Sequence, residues 1–276
     1  MAINYASKFD KKVVERFQLK SLTEAAVNKD YEWSGVSTVT AYSYPTTALG
    51  DYTLTGAARY GVATEQANTK QDMTVTKDRS ATITADRKTL DDTNSTAQGN
   101  KILSRQINEV YIPEVDVYRI AAMSTAAIAN SATATLAVTA SNAYLTFLAA
   151  TEWFGNKKIP TDGRIAFCSY AYYSFLKQDP MFVKNSDLGQ KMTINGQLGE
   201  VDGVKIVPVP STYLPATVAF VMCHPSVTVG VTKLEDYKTH DNPPGISGIQ
   251  IDMRFRYDAF VLDAKKDGLY AHKVSI

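Results

Sequence analysis

Residues 72–87 read DMTVTKDRSATITADR, two threonine-rich runs separated by Lys77, Asp78 and Arg79. In the first run Met73 and Val75 alternate with Thr74 and Thr76; in the second Ala81, Ile83 and Ala85 alternate with Thr82 and Thr84. A period of two sends alternate side chains to opposite faces, so both runs read as strands and together as a β-hairpin. An isolated two-stranded ribbon is marginal in water, and this one offers only a thin apolar face, so it needs a platform on its own domain or on another copy. Upstream, VSTVTAYSY (36–44) alternates β-branched and aromatic residues and stops at Pro45, which reads as a strand closed by a turn. From 34 to 92 the chain is extended in pattern and poor in large apolar side chains.

The next segment turns helical. Asp91 and Asp92 suit the positive end of a helix dipole, and Ser95 with Gln98 has capping-box spacing. Leu103, Ile107 and Val110 recur at helical spacing, and Ile120, Met123, Ala127 and Ile128 continue the stripe. Pro113 removes the hydrogen bond to the Glu109 carbonyl, which predicts a kink near Tyr111 or Ile112. Carried through to residue 130, the element would be a strut of roughly 50 Å at about 1.5 Å per residue.

A second helix is expected over 141–155, with Tyr144, Leu145, Leu148 and Phe154 as its stripe and Gly155-Asn156 as its stop. Beyond it, the strand RIAFC, an aromatic helix YAYYSFL, the turn-rich GQLGEVDG and the strands VKIVPVP, TVAFVMC and VTVGV describe a mixed α+β domain. A loop over 239–248 interrupts it, IQIDMRFRYDAFVLD alternates over a long stretch, and GLYAHKV supplies a last strand. At the other end, residues 8–27 read as a short amphipathic helix or a clamp-like arm.

With 276 residues, 45% of them hydrophobic, the chain can bury a sizeable core. Twenty-nine basic against 28 acidic residues leave a net charge of +1, so no global field steers it to nucleic acid or anionic membranes. Cys168 and Cys223 each lie in an apolar run, as buried reduced thiols do. No charge occurs from 120 to 151, yet Ser, Thr, Asn and Ala dominate there, which fits helix packing inside protein better than a membrane span. The first residues lack an apolar signal core, so a cytoplasm is the expected site of synthesis.

The residues supply little chemistry. His224, His240 and His272 lack the spacing of a zinc site, Cys223 and His224 would point apart on a strand, and Gly196, Gly199 and Gly203 match no phosphate-binding pattern. Tyr170, Tyr172, Tyr173 and Phe175 occur without interleaved basic residues, so core or subunit-interface packing is expected rather than base stacking. The expectation is a protein that is not an enzyme, with no catalytic residue, metal or cofactor. Lys77, Asp78, Arg79, Asp86, Arg87, Lys88 and Asp91 alternate in sign. Exposed ion pairs contribute under about 1 kcal/mol each. Such charges either form a solvated face or set register against a neighbouring subunit, and the residues leave both readings open.

The order of parts resembles a known family. An arm, a ribbon, a capped strut, a second helix ending in NKKIPTDGR (156–164), then IAFCSYAYYSFL (165–176), GQLGEVDGVKIVPVPSTYLP (196–215) and a long terminal strand resemble the tailed-bacteriophage major capsid proteins of the Hong Kong 97 fold. KILSRQINEVYIPEVDVYRI (101–120) with FQLKSLTEAAVNKDYEW (17–33) looks like those of phages infecting Gram-positive hosts. The resemblance implies an α+β chain with an N-terminal arm at 1–48 and an extended hairpin loop at 49–92. A spine helix and peripheral domain at 93–159, an axial domain at 160–248 and terminal strands of the peripheral domain at 249–276 complete it.

The function so implied is structural: self-assembly into pentamers and hexamers of an icosahedral head enclosing double-stranded DNA, in the virion after assembly in the host cytoplasm. Implied partners are further copies, a portal protein, a separate scaffolding protein, a decoration protein and, through non-specific contact, the packaged DNA, with no membrane. Candidate inter-subunit contacts are Lys77, Asp78, Arg79, Arg87 and Lys88 on the ribbon, and Asp241, Pro243 and Pro244 on the 239–248 loop, placed at the axial position. Only about 48 residues precede the ribbon, so scaffolding is expected from a separate protein or none, without removal of an N-terminal domain. Lys70, Lys77 and Lys88 lie in the ribbon without a marked acceptor asparagine or catalytic acid, so non-covalent closure is expected. An encapsulin-type cellular compartment of the same fold is the alternative.

Overall fold

The computed structural model describes residues 21–33, 37–63, 65–88, 104–181 and 199–274. In chain order its strands and helices are β1 (Thr38–Ser43), β2 (Thr69–Thr74), β3 (Lys77–Asp86), α1 (Ile112–Ala129), β4 (Thr133–Thr135), α2 (Ala143–Asn156) and β5 (Ile165–Ser169). There follow α3 (Tyr170–Gln178), β6 (Glu200–Val201), β7 (Val204–Val209), β8 (Val218–Cys223), β9 (Thr228–Asp241), β10 (Gly248–Val261) and β11 (Leu269–Lys273). They form three sheets: β1-β2, β3-β10-β9, and a six-stranded sheet in the order β4-β11-β8-β5-β7-β6.

The six-stranded sheet carries the main core. Every residue of β8 is buried, as are Ile165 to Cys168 of β5, because these central strands are covered on both faces, and such strands read as unbroken apolar runs rather than alternations. Ile120, Met123 and Ala127 of α1, Phe147 and Phe154 of α2, and Tyr172 and Leu176 of α3 pack into the same core. Phe220 sits at its centre, 4.7 Å from Tyr172, 5.9 Å from Phe147 and 5.4 Å from the stacked ring of His272, centroid to centroid. Both cysteines are buried free thiols, each pushed up to about 12 by burial, and so act as small apolar residues.

The three-stranded sheet is antiparallel throughout. Alternation along β10 is realised as expected: Ile251, Met253, Phe255 and Tyr257 are buried between charged or polar neighbours. The helical segment covers that face, with Tyr111 stacked 4.4 Å from Phe255 and Tyr118 edge-on 5.6 Å from Tyr257. Pro113 stands in the first turn of α1, where its missing N–H is tolerated, and the turn before it, Ile107–Tyr111, is π-helical. The interruption expected near Tyr111 is therefore a widened turn, closed by the Ile112 N–H donating to the Ile107 carbonyl. The 18 residues of α1 span about 27 Å. The capping box and the start of the expected strut lie outside the described residues. The charge-free stretch is divided between α1, β4 and α2, and among the described residues no helix is long and apolar enough to cross a membrane.

Three expectations need correction. DMTVT and SATIT do not pair with each other: β2 pairs with β1, and β3 pairs with β10. Lys77, Asp78 and Arg79 are strand residues opposite Tyr257, Arg256 and Phe255 rather than a turn. The reason is local, since a tight hairpin favours pairs such as Asn-Gly or Asp-Gly, and Lys-Asp-Arg has no glycine to follow its aspartate. The true ribbon is β1-β2, and its loop is 44–68, not a hairpin within 49–92. Second, the 239–248 loop is only residues 242–247, with Asn242 at φ 49° and Gly245 at φ 85°, and it closes the β9-β10 hairpin rather than a loop of the six-stranded sheet. Third, strand pairing cuts across the implied spans 160–248 and 249–276, because β9 joins the three-stranded sheet while β11, buried from Leu269 to His272, returns to the six-stranded one.

Candidate assembly interface

The ribbon has two unlike faces. On one, Thr38 and Thr74 share a hydroxyl–hydroxyl hydrogen bond of 2.9 Å, and Thr40 Oγ1 donates to Asp72 Oδ1 at 2.6 Å. On the other, Met73 is fully buried beside Val229 and Leu262, with Tyr31, Trp33, Val39, Ala41 and Phe260 around them. Trp33 stacks on Phe260 at 5.6 Å. Gln71 ties the ribbon base to the body twice, its Nε2 donating to the Val261 carbonyl at 2.8 Å and its Oε1 accepting from the Asp263 N–H at 3.0 Å.

Where β2 becomes β3, the chain passes from one sheet to another at Val75 and Thr76, and a buried carboxylate fixes the crossing. Asp258 Oδ2 accepts from the Thr76 N–H at 2.9 Å and the Thr76 hydroxyl at 3.0 Å; Oδ1 accepts from the Tyr118 hydroxyl at 2.9 Å and the Ala259 N–H at 2.8 Å. Burial, reinforced by that bond to Asp258, pushes Tyr118 up to about 12, so it stays a donor at ordinary pH. One side chain thus joins ribbon, helix and β10.

The loop of the ribbon is the opposite of the base. Seven of the twelve large apolar side chains left exposed among the described residues fall between 42 and 62: Tyr42, Tyr44, Leu49, Tyr52, Leu54, Tyr60 and Val62. Leu49 is 102% exposed, Tyr60 92% and Val62 90%, so these groups do not touch the body of their own subunit. The loop is held by its own few bonds: Tyr52 packs edge-on against Tyr60 at 5.0 Å, the Thr53 N–H donates to the Arg59 carbonyl at 3.1 Å, and Gln66 Nε2 donates to the Pro45 carbonyl at 2.8 Å. An exposed apolar set gathered in one segment marks an interaction surface.

A second device anchors the segment entering from the N-terminus. Asp116 of α1, buried, accepts from Ser21 Oγ and the Leu22 N–H, both at 2.9 Å, and from Thr23 Oγ1 at 2.5 Å. Arg119, one turn on and equally buried, donates through Nη1 to Thr23 Oγ1 at 3.2 Å and to Glu24 Oε2 at 2.9 Å. Burial alone would raise Glu24, but Lys29 and Arg119 together hold its carboxyl below the usual range. The next residues run beside β9, the Asn28 N–H donating to the Thr228 carbonyl at 2.7 Å. Gly230 permits that approach, for a Cβ there would stand 2.9 Å from Val27 Cβ. Of the expected arm at 1–48, residues 1–20 and 34–36 lie outside the described residues; 21–28 are a bent tether with a single 3-10 turn at Glu24–Ala26. Sequence reading missed this anchor, although Asp116 and Arg119 at i, i+3 spacing on an otherwise apolar helix face was a usable signal.

The candidate contact residues divide into two groups. Lys77, Asp78 and Arg79 meet partners in their own chain: Lys77 Nζ lies 5.3 Å over the Tyr118 ring, Asp78 accepts from Arg254 Nε at 2.9 Å, and Arg79 Nε lies 2.9 Å from Glu114 Oε1. The bond from Arg254 is the main reason the Asp78 carboxyl is held below the ordinary range. Glu114 also accepts from the Tyr257 hydroxyl at 2.7 Å, so this group of charges fastens β3 to α1 and β10. At the far end of the same sheet Arg87 Nη2 lies 4.0 Å from Asp241 Oδ1, the Lys88 N–H donates to Asp86 Oδ1 at 2.9 Å, and Pro243 and Pro244 belong to the hairpin loop. Gly248 closes that loop, where a Cβ would stand 2.1 Å from the Ala85 carbonyl oxygen. The structure therefore separates these charges from the apolar ribbon loop.

A family model described as phage capsid protein matches residues 74–271. No curated protein matches the chain. Among solved structures, a chain of Mycobacterium phage Che8 superposes with a TM-score of 0.71 at 16% identity, covering 97% of this chain and 96% of that one. The capsid structure of the cyanophage P-SCSP1u gives 0.77 at 11% identity, covering 98% and 93%. The asymmetric unit of the bacteriophage PhiM1 mature capsid gives 0.72 at 15%, covering 99% and 92%. At these identities the superpositions speak for the fold, which is that of Hong Kong 97 type capsid proteins.

Proposed function

The chain belongs to the phage capsid protein family, and from that premise we propose that its ribbon closes the shell by laying residues 42–62 on a neighbouring copy. As a major capsid protein it is a virion component that self-assembles. The observation that carries the reading is the concentration of six large exposed side chains on one loop, with a seventh, Tyr42, on the strand leading into it; four of the seven are tyrosines, the residue type that anchors interfaces. Full burial of one such side chain contributes about 1.5–3 kcal/mol. Several per copy, repeated round a closed shell, add to a large total.

Pentamers and hexamers, an interior holding double-stranded DNA, and portal, scaffolding and decoration partners belong to the same reading, with assembly in the host cytoplasm. The net charge of +1 supports a container that does not grip its genome. In this reading the extended loop is 38–74, the segment 21–33 leads the arm off α1, and the six-stranded sheet is the axial domain. Lys88, Pro243 and Pro244, at the far end of the three-stranded sheet, are contacts to a different neighbour. The test is to replace residues 46–62 by a short Gly-Ser turn. The subunit is expected to keep its melting temperature and lose particle formation by electron microscopy; normal particles would refute the proposal. Boiled wild-type particles are expected to run as monomers in denaturing gels, and ladders would contradict non-covalent closure.

A further inference from the structure

The reading of the ribbon leaves its receiving surface open. At one end of the six-stranded sheet, where β5 and β11 finish and β8 begins, a groove of about 790 Å³ opens among Tyr170, Phe175, Pro210, Leu214, Ala216 and Val274. None of the fourteen residues lining it is charged. Two of the polar groups in its wall are already used: Ser169 Oγ accepts from the Tyr172 N–H at 3.2 Å, and the Tyr172 hydroxyl donates to the Ala143 carbonyl at 2.9 Å. The groove therefore offers an ion no charged partner. Its volume lies within the range of about 300–1,000 Å³ typical of sites that take a sizeable ligand, enough here for several side chains.

We propose that this groove receives the ribbon loop of a second copy, with Leu49 and Leu54 among the side chains it buries. The proposal rests on the ribbon reading above and adds its address. Three observations join the two surfaces. The loop is the largest exposed apolar set among the described residues, and between 42 and 62 only Asp51 and Arg59 are charged, so a charge-free acceptor matches it. The near-complete exposure of Leu49, Tyr60 and Val62 shows that the loop is not lodged in its own subunit's groove. The chain assembles with many copies of itself, so the partner that meets each loop is always present.

Cysteine cross-linking in assembled particles tests it. Cys168 and Cys223 are 1% and 0% exposed, so introduced cysteines are the reactive ones. Subunits carrying Leu49→Cys are co-assembled with subunits carrying Ser211→Cys, a groove residue, and treated with a flexible bis-maleimide. The band in a denaturing gel is expected to shift from monomer to dimer for the mixture and to stay at monomer for either variant alone. Leu54→Cys with Ala216→Cys is a second, independent pair should one substitution impair assembly. Particles that form from both pairs without dimer would overturn the groove as the receiver. That failure is distinct from failure of the ribbon reading, which is read from the loop replacement alone: lost assembly without cross-links sinks only the groove, whereas normal particles from the replaced loop sink both.

Discussion

β8 and the ribbon loop treat similar side chains in opposite ways. In β8 all six residues are buried under helices of the same subunit, and Phe220 touches rings from α2, α3 and β11. In the ribbon, Met73 alone is fully buried, and the loop beyond it exposes tyrosines, leucines and a valine. The body completes its burial within one chain, so its stability is a property of the monomer. On the proposed reading the loop's burial is completed by other copies, so its apolar groups contribute through assembly. A given substitution should therefore be read in different assays according to where it falls.

The contrast can be broken or sharpened by experiment. Phe220→Ala opens a cavity at the centre of the six-stranded sheet and is expected to cost about 3–5 kcal/mol in denaturant unfolding, a large share of a domain's usual stability. A cost below about 1 kcal/mol would mean that the core is not continuous there. Met73→Ala, in a smaller cluster, is expected to cost about 2 kcal/mol. Leu49→Ala should leave the isolated subunit within about 0.5 kcal/mol of wild type yet raise the concentration needed for assembly. An equal loss of subunit stability from Met73 and Leu49 would erase the distinction between base and loop.

Asp258→Asn turns a four-fold acceptor into one that presents an amide N–H₂ toward the Thr76 or Tyr118 donors. The expected cost is about 1–3 kcal/mol, accompanied by faster hydrogen exchange at Thr76 than at β8. Unchanged exchange at Thr76 would show that the crossing is held by other contacts. The smallest effect is pH dependence. Burial pushes His272 below its ordinary value of 6.5, so the unfolded chain takes up the proton first as pH falls. Stability contributed by the neutral ring is fully present above 6.5 and declines as pH drops towards the lower folded value. The urea midpoint is expected to fall from neutral pH to about 5, and to fall less in His272→Gln.

The sequence made the body legible because IAFC and VAFVMC are apolar without interruption and IQIDMRFRYD alternates over ten residues, patterns that few placements satisfy. Strand pairing was less legible. Ala81, Ile83 and Ala85 alternate with threonines in a way that fits many partners, and the true one depends on distant side chains: Arg79 against Glu114, Asp78 against Arg254. The loop residues were missed for a different reason. Leu49, Leu54, Tyr60 and Val62 have neither period 2 nor period 3.6, because nothing in their own subunit gives them a face. The charges around Asp78 and Arg79 stand out in the sequence by their alternating sign, yet they fasten the subunit to itself.

Hydroxyl-radical footprinting of the free subunit and the assembled particle tests the central claim most directly, because tyrosine reports its own exposure. Tyr42, Tyr44, Tyr52 and Tyr60 are expected to label strongly in the free subunit and to be protected in the particle, while buried Tyr172 labels weakly in both. Loop tyrosines that label as strongly in particles as in free subunits would contradict the account.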